Sequence, residues 1–198
     1  MRKLSPRKTF GLGSLVIAIG MLGVSHLAIA GESVERLDVD ISSEGVGTVR
    51  AALTLPAQRE RVRSVLMDYS NWPKLFPRNP TIHYIKKLED RVRVGMTLPA
   101  YFLPMTLRLV TETHETPPFR IVTEMVEGDF DRYDWVWELS PNQDGTQTLA
   151  TLSLNVKPQV WTPGWALRWM LQSELQEHFE ILRKQVNAKD SQSLEAVP

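Results

Sequence analysis

Cysteine is absent from all 198 residues. That excludes disulfides, zinc–thiolate sites, iron–sulfur clusters and cysteine nucleophiles, and it leaves the fold to stand on its apolar core. An excess of positive charge is lacking too: 23 basic residues face 23 acidic ones. Nucleic-acid binding needs a basic footprint, so no nucleic-acid partner is implied. No G-x-S-x-G elbow, no glycine-rich phosphate loop and no H-E-x-x-H pair occurs, which lowers the case for serine catalysis, phosphate cradling and zinc by motif. His83, His114 and His178 sit far apart in the chain, so no metal and no cofactor is expected. No internal repeat or low-complexity linker divides the sequence.

The longest apolar run lies in the leader. Arg2, Lys3, Arg7 and Lys8 stand without any acid, Leu12 to Val24 is apolar, and Ala28-Ile29-Ala30 precedes Gly31. A basic start, a short apolar stretch and a small-x-small site make a secretory signal peptide. The run is shorter than the ~20 residues a membrane-crossing helix wants. The expectation is removal of residues 1–30, a single domain over 31–188, and a periplasmic or secreted location. Without the leader's four basic residues, 19 basic remain against 23 acidic.

The rest of the chain shows two periods. Leu37, Val39 and Ile41 alternate with acids, then Val49, Ala51, Leu53 and Leu55 alternate with polar residues, giving two strands split by Ser42-Ser43-Glu44-Gly45. Pro56 opens a helix expected from Ala57 to about Tyr69, and Pro73 and Pro77 restrict the next segment to a short helix or turn. Six strands follow at about 81–88, 91–98, 104–114, 119–127, 133–140 and 147–157. Their apolar sets, Val92/Val94/Met96/Leu98, Met105/Leu107/Leu109 and Ala150/Leu152/Leu154/Val156, lie on one side of each strand. One-sided alternation means an antiparallel sheet with one wet face. After Pro163-Gly164 a long helix is expected to about Asn187, then a disordered tail over 189–198. It alone is long enough to cover the apolar face of the sheet.

This element order, the segment Val65-Leu66-Met67-Asp68-Tyr69-Ser70-Asn71-Trp72-Pro73-Lys74-Leu75-Phe76-Pro77, and the stretch Gly128-x-Phe130, Trp135-x-Trp137-x-Leu139, Gly145-x-Gln147-Thr148 resemble the START-like superfamily. The likeness covers about residues 46–187 and is greatest to the polyketide cyclase/dehydratase and coenzyme Q-binding (Coq10-type) branch. It implies an α+β helix-grip fold: a curved antiparallel sheet wrapped around a long C-terminal helix, with a ligand space between them. That fold hosts many unrelated activities, so the ligand does not follow from it.

Cavity-wall candidates on the strands are Met96, Leu98, Leu107, Met125, Trp137, Leu152 and Leu154; on the last helix they are Leu171, Leu175 and His178. A turn of about 100° per residue sets Leu167, Leu171, Leu175, His178, Phe179, Leu182 and Val186 on one stripe. His178 near its middle is either a core residue bonded to a backbone carbonyl or a group that reaches a ligand, as polar anchor or as acid–base catalyst. Trp161, Trp165 and Trp169 cluster at the helix entrance, the last two on its polar face. They are either covered by the loop at Tyr101 and Phe102 or exposed as membrane-docking residues. Glu127, Asp129 and Asp131 lack calcium-loop spacing and read as a solvated edge, with Gly128 marking a bulge. The composite expectation is an exported carrier of a small hydrophobic molecule, touching a membrane surface transiently. A cyclase- or dehydratase-like enzyme using His178 and a protein-interaction module are the alternatives.

Overall fold

The computed structural model describes residues 36–100 and 105–194. The leader with its cleavage site, the Tyr101–Phe102 loop and residues 195–198 lie outside the described residues. All eight expected strands form: β1 Arg36–Ile41, β2 Gly47–Leu55, β3 Thr81–Lys87, β4 Arg91–Pro99, β5 Thr106–Thr116, β6 Arg120–Gly128, β7 Phe130–Pro141 and β8 Thr148–Pro158. They join one curved antiparallel sheet in the order β1-β2-β8-β7-β6-β5-β4-β3. The alternation carries through into burial. Val49, Ala51, Leu53 and Leu55 of β2 face inward, as do Ala150, Leu152, Leu154 and Val156 of β8. Met105 departs from its expected set. It precedes β5 and is 42% exposed, because strand alternation holds only where the strand is paired.

Helix α1, Arg59–Leu66, is shorter than its apolar pattern predicts, and a separate 3-10 helix spans Tyr69–Leu75. Asp68 makes the break. Its carboxylate accepts hydrogen bonds from Ser70 Oγ and Asn71 Nδ2, each 2.7 Å, so a local side-chain turn replaces the helical bond. Trp72 then anchors the 3-10 helix by donating from Nε1 to the Leu66 carbonyl at 2.9 Å, a fully buried bond.

Helix α2, Gly164–Leu194, lies across the concave face. The whole expected stripe from Leu167 to Val186 is buried, each large apolar side chain contributing about 1.5–3 kcal/mol. Gly47 marks a close approach: a Cβ there would meet Leu171 Cδ1 at 2.7 Å. The helix is tied to the sheet at two points, Arg168 donating to the Val39 carbonyl and Arg183 to the Thr54 carbonyl. α2 also runs seven residues past Asn187, so 189–194, expected in the disordered tail, are helical. No glycine or proline occurs between Trp165 and Val197 to stop it.

Candidate ligand-binding cavity

The sheet and α2 do not close on each other along their full length. The boundary lies between two pairs of the β7–β8 ladder that are neighbours on one face of the sheet, Trp137 with Leu152 and Trp135 with Leu154. Trp137 and Leu152 belong to the buried core, with Phe179 of α2 edge-on to Trp137 at 6.1 Å. From the Trp135–Leu154 rung onward, through Tyr133–Val156, the same faces line a cavity of about 500 Å³. That volume is in the usual range for small-molecule sites, ~300–1,000 Å³.

Seven of the ten expected wall residues meet there: Met96, Leu98 and Leu107 from β4 and β5, Leu154 from β8, and Leu171, Leu175 and His178 from α2. Three do not. Trp137 and Leu152 lie two residues along their strands from the Trp135–Leu154 pair, outside the cavity wall. Met125 sits on the β5–β6 bulge, its sulfur beside Gly128, where an added Cβ would be 3.2 Å from it. The same Cβ would meet the Arg108 carbonyl at 2.6 Å, so position 128, paired with Leu109 just beyond the bulge, needs glycine. The acids beside it are paired: Asp129 accepts from the Arg108 backbone at 2.7 Å, and Asp131 lies 3.2 Å from Lys157.

The chain from the 3-10 helix to β3 adds walls that strand periodicity does not reveal: Trp72, Phe76, Arg78 and Pro80. Arg78 Nε donates to Glu174 Oε1 at 2.7 Å, and both residues line the cavity. Glu174 was legible in principle, standing four residues before His178 and so on the same helix face. Tyr133, also in the wall, has its phenol pushed up to about 12 by burial. Thr111 Oγ1 is buried in the wall without a hydrogen-bond partner among the described residues.

His178 is bonded to a backbone carbonyl and also lines the cavity. Nδ1 lies 2.6 Å from the Leu75 carbonyl. A carbonyl only accepts, so Nδ1 carries the hydrogen and Nε2 keeps a bare lone pair when the ring is neutral. Burial outweighs the backbone hydrogen bond and lowers its pKa to about 4, so neutrality is the state at physiological pH. Phe76 stacks on the ring at 4.6 Å.

Residues 55–182, well over half of the chain, match the family described as polyketide cyclase / dehydrase and lipid transport. The chain belongs to that family. Solved structures agree on the fold. A protein of Thermus thermophilus is 23% identical, with a TM-score of 0.57, over 72% of this chain and 98% of its own. A START superfamily protein of Mycobacterium smegmatis is 17% identical, with a TM-score of 0.58, over 71% and 97%. The Zhui aromatase/cyclase of a Streptomyces species is 14% identical, with a TM-score of 0.55, over 76% and 97%. No curated protein matches the sequence. For this polyketide cyclase / dehydrase family member, the cavity rim is the remaining feature. Trp161 and Trp165 line it while remaining 85% and 75% exposed, and Trp169 one turn on is 52% exposed.

Proposed function

We propose that this protein is an exported carrier that holds a small hydrophobic molecule between its sheet and α2. The observation that supports this reading is the 500 Å³ space with its largely aliphatic and aromatic wall. Removing an apolar ligand from water contributes about 0.8 kcal/mol per buried CH2, so hydrophobic burial alone can drive capture. Isoprenoid, quinone-like, fatty or aromatic ligands all suit such a wall. Arg2, Lys3, Arg7, Lys8, the apolar run and Ala28-Ile29-Ala30 support export of the mature domain. Trp161, Trp165 and Trp169 support brief contact with a membrane surface, since indole is apolar on one side and hydrogen-bonds on the other. A carrier gains from a foothold beside the cavity mouth, where its ligand leaves and enters the bilayer.

A cyclase- or dehydratase-like reaction is the second reading, favoured by His178, Tyr133 and the Arg78–Glu174 pair in one wall. Two features weigh against it: burial makes His178 a weak base, its pKa lowered to about 4, and Glu174 is bound to Arg78. Mass spectrometry of the organic extract from protein purified out of its native compartment tests the carrier reading. A stoichiometric hydrophobic molecule recovered unchanged is the expected result. A bound molecule that the protein converts to a product would establish the enzyme instead.

A further inference from the structure

Behind the main cavity lies a recess of about 10 Å³ that shares Trp72, Phe76, Trp135 and His178 with it. About one water-sized sphere fits such a volume, room for a single oxygen atom. Three polar atoms on residues of its wall are buried without a hydrogen-bond partner among the described residues: His178 Nε2, Trp135 Nε1 and Trp137 Nε1. Buried polar atoms are ordinarily paired, so three on the residues of one recess leave two donors and one acceptor there to be satisfied. The hydroxyls of Thr113 and Thr123 at the same recess bond each other at 2.8 Å and so satisfy much of their own demand.

The chemistry of the three atoms is specific. Indole Nε1–H only donates. His178 Nε2 only accepts, because Nδ1–H is committed to the Leu75 carbonyl. Two donors and one acceptor are the complement of a hydroxyl group, which accepts on two lone pairs and donates one hydrogen. A carbonyl or ether oxygen would leave Nε2 unpaired, and a carboxylate would set negative charge against its lone pair. Phe76, stacked on His178, lines both the main cavity and the recess.

We propose that the protein selects hydrophobic molecules that carry a hydroxyl group, phenol or alcohol, whose oxygen seats against Trp135, Trp137 and His178. This rests on the cavity-binding reading and names its ligand class.

Binding of pyrene, methoxypyrene and hydroxypyrene to the folded, delipidated protein, followed by pyrene fluorescence at neutral pH, is the test. A hydroxyl entering an unmatched apolar site weakens binding, because it gives up its bonds to water. The expected order is therefore diagnostic: hydroxypyrene at least tenfold tighter than both other probes. Trp137→Phe, which keeps an aromatic ring and leaves the Leu75 bond alone, should cut the ratio of hydroxypyrene to pyrene affinity at least threefold. His178→Phe should remove the preference altogether. Equal binding of hydroxypyrene and pyrene by the wild type, as when the recess holds only a structural water, overturns the proposal and leaves the carrier reading standing. No saturable binding of any of the three overturns both.

Discussion

The Nδ1–H of His178, in the middle of α2, donates to the carbonyl of Leu75 at the end of the 3-10 helix, 2.6 Å away. One hydrogen bond thus joins two walls of the cavity and sets the histidine tautomer. The ring is almost fully buried, so its protonation is coupled to folding.

Protonation of His178 therefore opposes the fold. Its pKa is lowered to about 4 in the folded protein from 6.5, so between these values the unfolded chain binds more protons than the native one. Stability contributed by the neutral ring is complete above pH 6.5 and is lost as pH falls towards 4, by about 3 kcal/mol in all at ~1.4 kcal/mol per pH unit. Two-dimensional NMR of the ring should show no titration between pH 8 and pH 5. A midpoint near 6.5 would mean that the ring is solvated.

Leu154 lines the cavity from β8, two residues along the strand from Leu152. Leu154→Arg should remove saturable binding of a hydrophobic fluorescent probe, because a guanidinium would occupy the apolar space. The result counts only with an unchanged circular dichroism spectrum. Retained binding by the folded variant would place the ligand elsewhere.

Trp161 and Trp165 should be the membrane contacts. Mixing with liposomes should shift tryptophan emission to the blue, and Trp161→Ser/Trp165→Ser should slow ligand transfer between vesicles by more than its change in equilibrium affinity accounts for, since both indoles also line the cavity. The charge balance of 19 basic to 23 acidic residues after the leader implies weak dependence on anionic lipid. Unaltered transfer by the double variant would leave these indoles without a membrane role.

Export is checked by intact mass. The protein recovered from outside the cytoplasm should begin at Gly31, having lost residues 1–30. Full-length protein confined to the cytosol would be incompatible with that location.

The elements were largely legible in the sequence because their signals are local. Alternation in β2 and β8 and the 3.6-residue stripe from Leu167 to Val186 each reflect one face meeting one core. Local signals competed at two places: Asp68 cut α1 short through its own side chain, and α2 ran past Asn187 for want of a stop. The position of the cavity was of another kind. Alternation puts Trp135, Trp137, Leu152 and Leu154 on the same sheet face, but only the way α2 crosses that sheet decides that Trp137 and Leu152 are packed and Trp135 and Leu154 are open. Arg78 meeting Glu174, and Leu75 meeting His178, join residues 96 and 103 positions apart. Sequence determined which faces are apolar, since each side chain carries its own hydration cost; tertiary structure alone decided where two such faces part, since a void belongs to neither element that bounds it.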